Sequence, residues 1–153
     1  SYAQKIADLK IHSRGFLTGS IDLVFADNKE HSKARWWVAD WKSNWIEAEE
    51  QNISCGPHHY NNDAMEKEMI CHHYPLQAHL YLVALHRFLQ WRLPNYSPED
   101  HLGGYIYVFL RGIPGETLIK RNANNANIPG LFIEKAPVSR ITELNEILER
   151  GKS

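Results

Sequence analysis

Asp22, Asp40 and Lys42 are the residues whose types and spacing point most directly to chemistry. Side chains alternate between the two faces of a β-strand, so Asp40 and Lys42 project from one face about 6.6 Å apart if their segment is extended. If the strand carrying Asp22 pairs with that segment in a hairpin centred on His31, Asp22 lies opposite Asp40, with β-carbons about 4.5–5.5 Å apart. Two carboxylates and an ammonium group would then share one site.

A carboxylate pair held this close on a half-buried sheet is self-repelling, so it requires a countercharge. Two aspartate oxygens with several retained waters suit Mg²⁺ or Mn²⁺ better than Zn²⁺. Such an ion polarises a phosphoryl oxygen and generates a hydroxide-like nucleophile, while a nearby lysine orients the water or neutralises charge developing on the phosphate. The competing interpretation is an ordinary surface ion pair at the ends of two strands, and the Asp-x-Lys spacing alone does not decide between them.

The elements that must position these residues are two segments rich in β-branched and aromatic residues, 19–25 and 36–42, on either side of a charged, turn-prone stretch. This pattern predicts a β-hairpin with a long loop. Residues 103–112 are apolar on both faces and predict a central strand, and residues 131–133 predict a short edge strand.

Apolar residues at helical spacing predict helices over residues 61–71, 76–93 and 139–150, with Pro75 in the first turn of the second. On that second helix Gln77 and Tyr81 are four residues apart and share one flank. They form either a half-buried tyrosine with a glutamine partner or a polar ledge that touches the substrate. The helix is expected to pack on the sheet, and its sequence distinguishes two faces: Leu80, Ala84, Phe88 and Trp91 on one, and His79, His86 and Gln90 on the other.

The composition limits the classes of protein to which the chain could belong. The chain has 153 residues, of which 43% are hydrophobic and 23% are charged, and this predicts one globular domain with a substantial core. There is no signal-peptide pattern and no apolar run near the ~20 residues that cross a bilayer, so a cytoplasmic protein without membrane contact is expected. The formal net charge of −1 disfavours a free-standing DNA-binding protein, but it leaves open a nuclease that receives its DNA from another domain or subunit.

Cys55 and Cys71 lie close to several histidines and raise the question of a structural zinc site. Cys55-x-x-His58 followed by Cys71-His72 lacks a second well-spaced pair of ligands, so scattered surface histidines are the favoured interpretation. Without a secretory signal, a disulfide framework is disfavoured as well.

Four motifs, taken together, resemble the C-terminal nuclease domains of the RecB family in their order and spacing. They are GSID at 19–22, VADWKSN at 38–44, YPLQ at 74–77 with Tyr81 following, and FLRG at 109–112. The joint occurrence of G-x-x-D, D-x-K and Q-x-x-x-Y is more specific than any one of them, and the resemblance runs over most of the chain. The family is part of the PD-(D/E)xK superfamily.

The resemblance implies a restriction-endonuclease-like α/β fold, a mixed central β-sheet flanked by helices, here lacking its N-terminal helices. It implies that Asp22 and Asp40 bind a catalytic Mg²⁺, with the backbone carbonyl of Trp41 as a further ligand, and that Lys42 is the catalytic lysine. Gln77 and Tyr81 would line the path of the DNA. The implied partners are DNA, the RecC and RecD subunits and the RecA recombinase.

One departure from the family pattern affects the metal site. Relatives carry a further metal-ligand histidine on a helix well before the G-x-x-D strand, and no residue of this chain takes that place. His12 is only ten residues ahead of Asp22, so it is not a substitute. An excised domain with an incomplete metal shell is expected to be weakly active or inactive by itself.

The sequence therefore predicts that residues 1–153 are a single nuclease domain taken from a longer polypeptide. The predicted activity is that of exodeoxyribonuclease V, the Mg²⁺-dependent hydrolysis of phosphodiester bonds by a metal-activated water during double-strand break repair and recombination. Two other functions stay open: a non-catalytic module that docks RecA or another subunit, and a stand-alone nuclease with another substrate such as RNA.

Overall fold

Four β-strands form one sheet in the order β1-β2-β3-β4 in the computed structural model, which describes residues 18–28, 34–46, 55–115 and 128–150. β1 (Leu23–Ala26) runs antiparallel to β2 (Trp36–Lys42), β2 runs parallel to β3 (Leu102–Phe109), and β3 runs antiparallel to β4 (Leu131–Glu134). Parallel neighbours require a crossover connection, and the helices between β2 and β3 provide it. The sheet is mixed, with β2 and β3 at its centre.

The α-helices lie between β2 and β3 and after β4. They are α1 (Asn62–Cys71), α2 (Tyr74–Arg92), α3 (Pro98–His101) and α4 (Val138–Arg150). α2 contacts both central strands, α1 contacts β4, and α4 packs against α2. Pro75 lies in the first turn of α2, where its missing N–H group removes no helical hydrogen bond. The prediction of an α/β fold with a mixed central sheet and flanking helices is confirmed.

The hairpin pairs in the predicted register. Leu23 pairs with Ala39 and each following pair keeps the same offset, so the midpoint of the hairpin falls at His31. The turn itself, residues 29–33, lies outside the described residues. Because a shift of one residue would turn every side chain to the opposite face, this register decides whether Asp22 and Asp40 can meet.

Asp27 connects the two ends of the hairpin loop that the structure describes. Its carboxylate accepts hydrogen bonds from the backbone N–H of Arg35 at 2.8 Å and from the indole N–H of Trp37 at 3.2 Å. These bonds, the one from Arg35 first, lower the pKa of Asp27 because they stabilise the charged form.

The third strand ends earlier than predicted. β3 stops at Phe109, and Leu110–Gly112 forms a short 3₁₀ helix instead of continuing the strand to residue 112. Gly112 packs against Tyr60 so closely that a β-carbon there would lie 2.4 Å from its side chain, and the chain turns at this contact. The predicted edge strand is confirmed as β4.

Of the two faces of α2 distinguished in the sequence, the one with His79 and His86 is turned toward the core, although its third member, Gln90, is exposed. The buried residues are Ala78, His79, Leu82, Val83, Leu85, His86 and Leu89. The two histidines are tolerated there because each ring has a partner: Nδ1 of His79 bonds the carbonyl of Pro75, and Nδ1 of His86 bonds the hydroxyl of Tyr96. By contrast, Phe88 and Trp91 on the other face are 50% and 76% exposed.

Candidate active site

Asp40 and Lys42 project from the same face near the end of β2 and form an ion pair. Lys42 Nζ lies 2.6 Å from Asp40 Oδ2, and the two side chains are only 11% and 8% exposed. The pair is therefore buried, unlike an ordinary surface ion pair. Because removing two charges from water opposes such a pair, further polar partners are needed to hold it.

Lys42 has those partners on α2 and β3. Its ammonium donates to Gln77 Oε1 at 3.1 Å and lies 3.9 Å from the centre of the Tyr74 ring and 5.0 Å from that of Tyr107. An amide oxygen and the faces of aromatic rings all attract a cation. Carboxylate, amide and rings together fix the ammonium at one position.

Asp22 lies one residue before β1, where continuation of the hairpin register places it opposite Asp40. Its Oδ2 accepts a hydrogen bond of 3.1 Å from the backbone N–H of Trp41, the residue between Asp40 and Lys42. The charges of Asp40 and Asp22 also both raise the pKa of Tyr81, in addition to burial, which is the largest cause. The two aspartates and the lysine thus meet at one end of the sheet.

Gln77 links the ion pair to the flank of α2. Its Oε1 accepts hydrogen bonds from Lys42 Nζ and from the Tyr107 hydroxyl at 2.9 Å, and its Nε2 donates to the Tyr81 hydroxyl at 2.9 Å. Burial, followed by the nearby charge of Asp40, raises the pKa of Tyr107, so this phenol remains a neutral donor. Both halves of the Q-x-x-x-Y motif are therefore within the network around Asp40 and Lys42.

A further layer of contacts was not found from the sequence. The Tyr74 hydroxyl donates to Asn44 Oδ1 at 3.1 Å, and Asn44 Nδ2 donates to Glu68 Oε1 at 2.8 Å. The ring of Tyr74 stacks between His72 and Tyr107, with ring centres 5.3 and 5.5 Å away. The only sequence signal for Tyr107 is its place in an apolar strand next to the one that carries Asp40, and spacing along the chain cannot show that neighbourhood.

The two carboxylates provide oxygen atoms suited to a hard divalent cation. Each uses Oδ2 in the contacts above, and within the described ranges neither Oδ1 has a hydrogen-bonding partner. In the same part of the chain, no group of three or more His, Cys, Asp or Glu side chains could hold a metal ion. Two carboxylates are nevertheless compatible with a hard divalent cation, which can complete its shell with backbone oxygen and water.

Arg111, from the FLRG motif, and the two cysteines lie apart from this network. Arg111 donates from Nε to the carbonyl of Ser43 at 3.1 Å, and its guanidinium lies 5.2 Å from the ring centre of Trp45. Cys55 Sγ donates to the carbonyl of Ile46, and Cys71 is an exposed free thiol. His12 lies outside the described residues.

The architecture is that of a restriction-endonuclease-like α/β domain, a mixed sheet with flanking helices. The chain is homologous to RecB, a subunit of the RecBCD enzyme. RecB of Mycobacterium tuberculosis H37Rv is 35% identical to it over 139 residues, which is 91% of this chain and 11% of the relative. RecB of Escherichia coli K12 is 43% identical over 103 residues, or 67% of this chain and 8% of the relative.

RecB of Haemophilus influenzae is 35% identical over 134 residues, 88% of this chain and 9% of the relative. The chain spans about a tenth of the length of the curated relatives it matches. No family model matches it. Among the helices that the structure describes, none combines the length and the apolar character needed to span a membrane.

Proposed function

We propose that this chain is the nuclease part of a RecB-type subunit and hydrolyses phosphodiester bonds of DNA with the help of a divalent cation. The observation that carries the proposal is the meeting of Asp22, Asp40 and Lys42 at one end of the sheet, in a chain homologous to RecB. Residues 1–153 as a whole would belong to this single domain.

Asp22 and Asp40 would hold Mg²⁺ or Mn²⁺ through their carboxylate oxygens, with the backbone carbonyl of Trp41 as a third ligand. When bound, such an ion polarises a phosphoryl oxygen and lowers the pKa of a coordinated water. Asp40 lies in β2 and Asp22 lies one residue before β1, where its hydrogen bond to the backbone of Trp41 holds it beside β2.

Lys42 would supply positive charge where negative charge develops on the phosphate. In hydrolysis a water oxygen bonds to phosphorus while the bond from phosphorus to the leaving oxygen breaks, and the leaving oxygen takes up a proton. The ammonium is already fixed by Asp40, Gln77 and two aromatic rings, so little reorganisation is needed during the reaction.

Gln77 and Tyr81 would line the DNA path beside the reacting phosphate. The amide and the phenol are joined by a hydrogen bond of 2.9 Å, and Tyr81 is only partly buried. A tyrosine hydroxyl is protonated at neutral pH, and burial with the charges of Asp40 and Asp22 raises the pKa of Tyr81 further, so it can donate to a phosphate oxygen or a base edge.

The homology to RecB extends the proposal to partners and setting. The parent polypeptide would assemble with RecC and RecD, receive single strands from a helicase motor elsewhere in the protein, and work with RecA in repair and recombination of broken DNA. The place of action would be the cytoplasm, where that DNA lies.

The test of the proposal is Asp40→Ala in the full-length protein within its assembly. We expect Mg²⁺-dependent cleavage to be lost because a required ligand is removed, while the assembly still forms because the Lys42 ammonium keeps its contacts with Gln77 and two aromatic rings. Normal cleavage by this variant would reject the proposal.

A metal titration separates an enzyme from a docking module. Saturable Mn²⁺ binding that disappears in Asp22→Asn is expected for a nuclease. A chain that binds no Mn²⁺ but keeps its affinity for RecA would be a non-catalytic docking module instead.

A further inference from the structure

One flank of α2 carries a row of residues that begins in the candidate active site and continues along the whole helix. The row consists of Gln77, Tyr81, Ala84, Phe88 and Trp91, and we refer to it as the α2 stripe. Steps of four and three residues keep all five within about 40° of one line along the helix, which turns 100° per residue. From Gln77 to Trp91 the stripe is about 21 Å long.

The distal half of the α2 stripe is aromatic and open. Phe88 is 50% exposed and Trp91 is 76% exposed, and their rings meet edge to face with centres 6.4 Å apart. The guanidinium of Arg92 lies 4.9 Å from the ring centre of Trp91. Ala84, also exposed, has the smallest side chain of the stripe and leaves room between the active site and the two rings. Large aromatic side chains exposed in a row indicate a binding surface.

The charge of α2 suits a polyanion. The helix has 19 residues and contains no Asp or Glu, whereas Arg87 and Arg92 lie in its C-terminal half. Arg87 is engaged by α4, donating to Asn145 Oδ1 at 2.6 Å, so Arg92 beside Trp91 is the cation that belongs to the stripe. A phosphate backbone passing along this flank would meet no carboxylate on the helix itself.

We propose that a single strand of nucleic acid leaving the active site lies along the α2 stripe, with bases stacked on Phe88 and Trp91. This inference rests on the proposed nuclease function and adds a substrate-binding surface to it. Stacking on aromatic side chains is tolerant of base sequence, as degradation of arbitrary DNA requires. The distance from Tyr81 to Trp91 is about 15 Å, which corresponds to about four nucleotides of a stacked strand.

The composition of the stripe favours nucleic acid over a protein partner. Between Tyr81 and Trp91 it has no leucine, isoleucine or valine, and its exposed members are one alanine and two aromatic residues. It is also continuous with Gln77 and Tyr81, the polar residues proposed to contact the substrate. A helix that buries an aliphatic face in a protein groove has a different pattern.

The experiment is photo-cross-linking of an iodouracil-containing oligonucleotide to the full-length protein in its assembly, with EDTA present to prevent cleavage. We expect cross-links to Phe88 or Trp91, because this reaction joins the base to an aromatic side chain that it contacts. Under cleavage conditions, Phe88→Ala and Trp91→Ala should each raise KM for a single-stranded oligonucleotide about tenfold. Ile147→Ala is the matched control, because it removes an exposed apolar side chain, 62% exposed, from α4 and should leave KM unchanged.

Two comparisons identify stacking as the cause. Trp91→Phe should keep a KM close to that of the wild type, whereas Trp91→Leu should behave like Trp91→Ala. An oligonucleotide of about two nucleotides is too short to reach Trp91, so none of these substitutions should change its KM. Full function of Trp91→Leu, with loss only in Trp91→Ala, would indicate an apolar protein contact and overturn the inference.

Failure of this inference is distinguishable from failure of the nuclease proposal. Asp40→Ala should lose cleavage and still give the α2 cross-links. Cleavage that depends on Asp40 but occurs without α2 cross-links and with unchanged KM in the Phe88 and Trp91 variants would reject the stripe alone. Cleavage that survives Asp40→Ala would reject the nuclease site itself.

Discussion

Tyr105 and Tyr107 lie two residues apart on the same face of β3, yet they belong to polar clusters of different kinds. Tyr107 joins the site cluster of Asp40, Lys42 and Gln77. Tyr105 donates to Glu134 on β4 and lines a groove of about 640 Å³ between α1, α2, β4 and α4.

The groove cluster contains His79, Arg140, Tyr105 and Glu134. His79 bonds the carbonyl of Pro75 through Nδ1 and faces Arg140 through Nε2, at 3.2 Å from a guanidinium nitrogen. The polar groups of the groove cluster thus join α2 to α4 and β3 to β4, and each has a protein partner. This arrangement stabilises the packing of the layers.

The site cluster differs because it has two carboxylates, Asp40 and the adjoining Asp22, beside the ammonium of Lys42. The Oδ1 atoms of Asp22 and Asp40 have no hydrogen-bonding partner among the residues with described coordinates, although each Oδ2 does. The groove cluster joins a single carboxylate to a phenol between two strands, whereas the site cluster brings two carboxylates to one ammonium, a charge arrangement that can bind a cation and a phosphate. Polar networks on one strand therefore differ in the number of charged groups that they bring together.

The largest expected difference between the two clusters is in catalysis. Asp22→Asn combined with Asp40→Asn should lower the cleavage rate of the full-length protein by at least about a hundredfold, because charge stabilisation at the reacting phosphate is lost. Glu134→Gln, which alters the one carboxylate of the groove cluster, should leave the rate unchanged. Equal losses in the two variants, measured as kcat, would show that the clusters do not differ in function.

The next largest effect is on stability. Lys42→Met leaves the Asp40 carboxylate buried beside an apolar side chain and should destabilise the chain by about 3 kcal/mol. Urea unfolding checks this value, and adding Asp40→Asn should restore most of the loss because the unpaired charge is then gone. No recovery in the double variant would mean that the ion pair is not what Lys42 contributes.

A smaller effect separates the two tyrosines. Tyr107→Phe and Tyr105→Phe each remove a hydroxyl that is hydrogen-bonded within the protein, and each should cost about 1 kcal/mol in urea unfolding. Only Tyr107→Phe should also slow cleavage, by a few-fold, because Gln77 loses one of the donors that orient it toward Lys42. Slowed cleavage by Tyr105→Phe would contradict the division between the clusters.

The smallest effect is a dependence of stability on alkaline pH. The pKa of Tyr107 is raised in the folded chain, mainly by burial, whereas an unfolded tyrosine ionises near about pH 10. The folded state therefore holds a proton that the unfolded state releases, so the contribution is complete below pH ~10 and is lost as the pH rises above it. Thermal unfolding between neutral and alkaline pH should show a decline that is shallower in Tyr107→Phe, and identical slopes would contradict it.

The hairpin register and the shared face of Asp40 and Lys42 were predictable because their information is local. Strand period puts Asp40 and Lys42 on one face, and a symmetric turn fixes which residues of the two strands pair. The Q-x-x-x-Y pair was predictable as one flank of a helix by the same reasoning.

The buried face of α2 was not predictable in the same way, because apolar residues surround the helix. Leu80 is half-buried, Phe88 is exposed and His86 is buried, which reverses what side-chain polarity suggests. His86 is accepted in the core through its bond to Tyr96, a residue beyond the end of the helix. Contacts of this kind depend on the tertiary structure, and so does the place of Tyr107 in the site.

The hydrogen bond from the Trp41 backbone amide to Asp22 does not depend on which side chain stands at position 41. The donor is a main-chain group that every amino acid except proline possesses, and the Trp41 side chain itself is 46% exposed. The residue between the acid and the lysine can therefore change freely over evolutionary time without moving the first carboxylate, and proline is the one replacement that would release it.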